Sequence, residues 1–204
     1  MSDAAFSNEE ALERYLATIA APSRVGRPFV IGMVGLVGAG KSTVAAALAK
    51  ELGVIVTSND AIRRFMNSLG FEGANPNQPL LQFVAEGTTD YLAKRKISHV
   101  IDNDLLKFVA AAREKIEAHG MDFYLVEVTC PEAIILERLA RRAQLIADGR
   151  ADSDSRAGEL EYQRRKQVHA ETPRPNFDFT FDTSVDIAPQ IEAFCRALRL
   201  SGNL

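Results

Sequence analysis

One stretch of eight residues has the types and spacing to wrap a phosphate chain. GLVGAGKS, Gly35 to Ser42, fits G-x-x-x-x-G-K-[ST]. Only a backbone free of Cβ crowding can close around phosphate oxygens, and Gly35, Gly38 and Gly40 supply it. The amides of Gly38, Ala39, Gly40, Lys41 and Ser42, with the first helical turn through Thr43, add partial positive charge. Lys41 would bridge the β and γ phosphates of a nucleoside triphosphate, and the Ser42 hydroxyl would ligate Mg²⁺. A plain glycine-rich turn with a surface lysine would be spelled the same way. It would not need a strand before it and a helix after it.

Two further groups of residues have chemistry to offer. SNDAIRR, Ser58 to Arg64, places Asp60 and Arg63 three apart on a first helical turn, so a carboxylate and a guanidinium share one face. An acceptor hydroxyl needs a carboxylate to take its proton, and a charged acceptor needs a fork to hold it. Asp60 and Arg63 could meet those needs; Asp60 as a helix cap with Arg63 or Arg64 in a surface ion pair explains the letters equally well. VIDND, ending in Asp102 and Asp104, closes an apolar run, and parallel strands deliver ligands at their carboxyl ends. Either aspartate could face Mg²⁺, which normally takes one or two carboxylates, or Asn103 or Asp104 could cap the next helix.

ERLARR gathers Arg138, Arg141 and Arg142 near the end of another helix. Arginines three or four apart can reach one polyphosphate together, or can simply complement the helix dipole. The polar stretch that follows them is what a closing lid needs. His99, His119 and His169 share no spacing, and structural or surface roles suit them better than metal ligation. Phe177, Phe179 and Phe181 alternate as the half-buried face of a strand.

These residues need elements to position them. Asn8 to Ala20 reads as an amphipathic helix with Ser7 or Asn8 as cap, and RVGRP as a linker. Strands are expected at Phe29 to Gly35, Val54 to Ser58, His99 to Asp102, Asp122 to Val128 and Asp178 to Ser184. Helices are expected at Lys41 to Leu52, Asp60 to Leu69, about Leu80 to Lys94, Leu105 to Ala118, Pro131 to Ala147 and Ile187 to Leu198. Five strands alternating with helices make a doubly wound α/β sheet. Glu159 to Ala170 is strongly charged and shows no pattern that assigns it. The organisation is an N-terminal helix and linker over residues 1–27 and one domain over 28–204, with an insert at about 70–97 and a lid at about 143–160.

Composition narrows the classes. Lys and Arg number 24 against 27 Asp and Glu, a net charge of -3 without long single-sign runs, which disfavours a broad nucleic-acid surface. Cys130 and Cys195 stand far apart and in no metal-binding pattern, so a disulfide scaffold and a zinc site are set aside. The N-terminus has neither the basic nor the apolar region of a signal peptide, and no apolar run approaches membrane length. A cytoplasmic protein without a membrane partner is expected.

With Gly35 to Ser42, Asp60-x-x-Arg63, Asp102 and Arg138/Arg142 in this order, the chain resembles the P-loop kinases of the polynucleotide kinase-like group, which are AAA-type ATP-binding domains. GLVGAGKSTVAAALAKELG and SNDAIRRFM are also similar to archaeal 2-phosphoglycerate kinases and zeta-toxin-like kinases. The resemblance covers about residues 28 to 199. It implies a P-loop NTPase fold with a five-stranded parallel sheet in the order 2-3-1-4-5, ATP with Mg²⁺, and a small-molecule or nucleotide acceptor. It implies Asp60 as general base, Arg63 as the residue holding the acceptor, and Arg138 and Arg142 contacting ATP from the lid. The family often carries D-x-N after strand three, and here Asp104 stands at the third position. A dephospho-coenzyme A kinase would also place an aspartate after strand two. A guanine-nucleotide switch is disfavoured, since neither N-K-x-D nor a D-x-x-G after the loop occurs. A nucleotide-binding scaffold without catalysis is the remaining alternative.

Overall fold

FVIGMV has no polar position because the strand it forms, β1 (Phe29–Val34), lies in the middle of a sheet and is covered on both faces. The computed structural model describes residues 7–19, 26–70, 78–150 and 158–200. Four further strands, β2 (Ile55–Thr57), β3 (His99–Ile101), β4 (Asp122–Thr129) and β5 (Phe179–Asp182), complete a sheet of order β2-β3-β1-β4-β5 with every neighbouring pair parallel. That is the order the resemblance implies.

The helices are α1 (Asn8–Leu16), α2 (Lys41–Leu52), α3 (Asn59–Ser68), α4 (Gln78–Lys94), α5 (Val109–Ala118), α6 (Glu132–Ala147), α7 (Glu159–Glu171) and α8 (Ala188–Leu200). On one face of the sheet Phe29, Ile31 and Met33 pack with Leu48 of α2, Ile135 of α6 and Phe194 of α8. On the other, Val30 and Val34 pack with Ile116 of α5 and with Phe123 and Leu125 of β4. A third cluster joins Ala11 and Tyr15 of α1, Ile62 and Met66 of α3, and Leu81 and Val84 of α4. There α1 comes so close to α4 that a Cβ on Gly87 would stand 2.4 Å from the Leu12 side chain. Each fully buried side chain of this size contributes about 1.5–3 kcal/mol.

Three boundaries differ from the sequence expectation. Helix α1 stops at Leu16, not Ala20, because Thr18 turns its hydroxyl and its amide onto the Tyr15 carbonyl that a continuing helix would use. Helix α5 begins at Val109, not Leu105, because the Leu105 amide donates to Met33 O of β1 at 2.9 Å and so extends the sheet edge. Glu159–Glu171, unassigned from its pattern, is the helix α7. It buries a single residue, Tyr162, in the core. Of the alternating phenylalanines, Phe179 and Phe181 share a strand face, 4.8 Å apart by ring centroid and both packed on Phe194, whereas Phe177 precedes β5 and packs against the cluster on the other face of the sheet.

At the amino-terminal end of the sheet His99 is fully buried. Its Nδ1 lies 2.8 Å from Ile97 O, and its Nε2 meets no hydrogen-bond partner among the described residues. Cys130 and Cys195 are free thiols. Among the described residues no helix is long and apolar enough to cross a membrane.

Candidate active site

The glycine-rich loop leaves β1 against the neighbouring strand so closely that a Cβ on Gly35 would stand 2.5 Å from Val128 O. Gly40 takes φ +96° at the cap of α2, and a Cβ there would meet Thr183 at 3.0 Å. Among the described residues no side chain caps α2, and no acidic residue occupies its first turn, so the amide dipoles at the start of α2, at Lys41 and Ser42, meet no negative charge from the helix itself. An anion is the natural partner for such a helix end.

Thr183, just past β5, holds the loop from behind. Its hydroxyl donates to Ala39 O at 2.6 Å. Arg138 of α6 fixes Thr183 in turn, donating to its hydroxyl at 2.9 Å and to its carbonyl at 2.7 Å, with a longer contact of 3.5 Å to Gly38 O. Arg142, the next turn of the same helix, has no hydrogen-bond partner among the described residues. Residues 143–147 of the expected lid continue α6 and 159–160 open α7, while 151–157 lie outside the described residues. In the expected insert, residues 71–77 lie outside them too, and α4 fills most of the remainder.

In front of the loop, charges converge on Lys41. Its ammonium donates to Gly35 O at 2.8 Å and Leu36 O at 3.0 Å. Burial pulls it below the usual lysine range against the pull of Asp104, Asp102 and Asp60, and the Arg165 charge lowers it further. Asp102 follows β3, where its amide is held by Thr57 O at 2.8 Å. Burial raises its carboxyl, opposed by a hydrogen bond from the Ser42 hydroxyl and by the Lys41 charge. Asp104 is engaged quite differently. One carboxylate oxygen accepts from the Gly35 and Leu106 amides, each at 3.4 Å, and the other accepts from His169 Nε2 at 2.8 Å. Burial pushes Asp104 up, but His169, Lys41 and the Gly35 amide together bring it below the usual carboxylate range.

Asp60 and Arg63 of α3 form an ion pair at the other side of this cluster. Asp60 is not the helix cap: Ser58 is, accepting from the Ala61 amide at 3.0 Å. Neither Asn103 nor Asp104 caps α5, whose cap is Phe108 without a side-chain bond. Asn103 instead accepts from the Asn59 amide at 3.0 Å and donates to the Asn59 side chain at 3.3 Å, tying the start of α3 to the end of β3. Asp60, Lys41, Ser42, Asp102 and Asp104 are therefore brought together, while Arg138 is committed to the back of the loop.

The sequence reading leaves out Thr183, the Asn59–Asn103 pair, and Arg165 with His169 on α7. Thr183 follows β5 in DTS, and position beside the carboxyl end of a strand is the only signal that could have marked it. Oxygen donors dominate the cluster, and among the described residues no three His, Cys, Asp or Glu converge as a cage for a metal. The Ser42 hydroxyl beside the Asp102 carboxylate suits a Mg²⁺ ion that takes its other ligands from phosphate and water. Asp104 fits that ion less well, because both its oxygens are occupied.

Comparison with known proteins gives the family and the fold. The sequence matches a family model described as AAA domain over residues 30–170. No curated protein sequence matches it. Among solved structures, a gluconokinase from Sinorhizobium meliloti 1021 aligns at 21% identity and TM-score 0.55, covering 88% of this chain and 97% of its own. The APS kinase CysC of Mycobacterium tuberculosis, solved with AMPPNP and APS, aligns at 19% identity and TM-score 0.53, covering 86% and 99%. A sugar kinase from Janibacter sp. HTCC2649 aligns at 20% identity and TM-score 0.52, covering 84% and 93%. At these identities the likeness establishes the fold, that of P-loop NTPases.

Proposed function

Because the chain belongs to the AAA domain family, we propose that it is an ATP-dependent kinase that transfers the γ-phosphoryl group to a hydroxyl of a small-molecule or nucleotide acceptor. The observation that carries this reading is Asp60. A nucleotide switch or scaffold needs a phosphate loop and a metal ligand, but no further carboxylate beside them. Here Asp60 stands on a different element from the Ser42–Asp102 pair, close enough to be felt by Lys41 and Asp102.

In this reading the loop amides and the α2 terminus hold the phosphates, and Lys41 leaves the Gly35 and Leu36 carbonyls to meet them. Ser42 and Asp102 would hold Mg²⁺, which neutralises phosphate charge when bound. Asp60 accepts the proton of the acceptor hydroxyl as its oxygen bonds to the γ-phosphorus. The bond from that phosphorus to the β-phosphate bridging oxygen breaks, and ADP leaves. Arg63, paired with Asp60, orients that carboxylate and would hold a charged acceptor by its guanidinium fork. A cytoplasmic setting with no membrane partner belongs to the same proposal.

The test is a transfer screen with radiolabelled ATP and Mg²⁺ across sugars, nucleosides, hydroxy acids and nucleic-acid ends, with ATP alone as control. One acceptor class that takes label in saturable fashion is the expected result. ATP binding with no transfer to any class would favour the scaffold reading.

A further inference from the structure

Arg165 on α7 is an arginine held in place by its Nε edge, while its Nη edge makes only a loose ion pair with Asp104. Its Nε donates to Glu161 Oε1 at 2.8 Å, and Arg164 donates to the same carboxylate at 2.6 and 2.7 Å. Two guanidinium groups hold Glu161 ionised, its carboxyl drawn down to about 2. The Arg165 Nη1 lies 4.0 Å from Asp104 Oδ2, too long for a hydrogen bond, and among the described residues neither Nη nitrogen has a hydrogen-bond partner. Three contacts dock α7 here. His169 reaches Asp104, Lys166 reaches Glu132 at 2.7 Å, and Tyr162 enters the core.

The position of that open edge matters. Asp104 accepts from the Gly35 amide, so Arg165 stands one carboxylate away from the first residue of the phosphate loop. Lys41 feels its charge. A polyphosphate that follows the loop amides passes Lys41, and Arg165 is the further cation that acts on that lysine. Arg138 is turned the other way, with both its terminal nitrogens spent on Thr183 and Gly38 behind the loop.

Resting on the kinase reading, we infer that Arg165, rather than Arg138, is the guanidinium that meets the γ-phosphate. Negative charge on the transferring phosphoryl oxygens is then shared between Lys41 on one side and Arg165 on the other. Glu161 is its positioning residue, since it fixes the Nε edge and leaves the Nη edge toward the site. Arg138 braces the loop through Thr183.

The experiment compares binding of ADP·Mg²⁺ and of the β,γ-imido analogue of ATP with Mg²⁺, by calorimetry, in wild type, Arg165→Ala, Arg165→Lys and Arg138→Ala. Wild type should prefer the imido analogue. Arg165→Ala should lose about tenfold or more in affinity for that analogue while ADP changes by less than about twofold. Arg165→Lys should recover part of the preference, because it restores charge without the fork. Arg138→Ala should weaken both ligands, because it relaxes the loop they share. Arg165→Ala with an unchanged preference overturns the assignment, and so does equal weakening of the two ligands, which would make α7 a mere prop. A wild type that binds neither nucleotide overturns the kinase reading itself, and this assignment with it.

Discussion

The two walls of the cleft are held by different forces. The phosphate wall, β1 to α2, is fixed by contact: backbone against backbone at Gly35 and Val128, a left-handed glycine against Thr183, and a hydroxyl bond that is itself buried. The opposite wall, α3 and α7, has fewer apolar anchors, Ile62 and Met66 on α3 and Tyr162 on α7, and adds polar pairs at its surface: Lys166 to Glu132 and His169 to Asp104 between elements, Asp60 to Arg63 and Glu161 to two arginines within the helices. Contact sets position to a fraction of an ångström and tolerates no side chain in the way. Exposed ion pairs set position loosely and yield to water and salt. A wall of the second kind can open for an acceptor without disturbing a wall of the first kind.

The sharpest test of this division is Asp60→Asn. It belongs to the charged wall, so ATP affinity should stay near that of wild type while transfer slows by roughly 10²- to 10⁴-fold. Asn keeps the shape but takes no proton at neutral pH. Equal loss of binding and rate would make Asp60 part of the ATP site and dissolve the distinction between the walls. Arg63→Lys extends the test: for an anionic acceptor, KM should rise far more than the dissociation constant of ATP.

Thr183→Val probes the other wall. It removes the buried bond to Ala39 O and leaves the part-buried Arg138 short of one acceptor. Urea unfolding should show about 1–3 kcal/mol of lost stability, and ATP binding should weaken with it. Stability unchanged within error would mean that the loop keeps its shape without the brace. The smallest effect is expected at Lys166→Ala. Both members of that pair are about half exposed, and the thermal midpoint should move less than for Thr183→Val, with added salt erasing the difference. A larger shift than Thr183→Val gives would invert the comparison.

The contact wall was largely legible in the sequence, because its demands fall on residue type. Glycine spacing, a lysine and a hydroxyl encode close approach and phosphate chemistry within eight consecutive positions; alternation gave a doubly wound sheet, and the strand order came from resemblance alone. The charged wall was not. Asp104 meets His169 across 65 residues of chain, and nothing in either neighbourhood points to the other. Helix α7 has almost no apolar face to reveal it, since Tyr162 alone turns inward. Arg138 was recognised as an arginine of the site, but its direction depends on Thr183, 45 residues away. Leu105 reads as helical and is drawn into the sheet edge by a bond to Met33 that local pattern does not contain.

Beneath the cleft, at the opposite end of the strands, His99 gives the whole domain an acid sensitivity. Burial lowers its pKa from 6.5 to about 4, with the Ile97 carbonyl pulling weakly the other way. The unfolded chain therefore binds a proton here between those two values while the folded chain does not. By linkage, this group's contribution to stability is complete above pH 6.5 and is lost as pH falls toward about 4, amounting to about 3 kcal/mol across that window. Below about 4 both states carry the proton and the loss from this source ends. His99→Leu should flatten the fall in urea midpoint over this range, and an unaltered slope would place the acid response elsewhere. Proton uptake, then, is coupled to folding at a position far from any substrate, and the direct pairing of β3 with β1, which sets His99 beside Val30, links it to the strand that carries the phosphate loop.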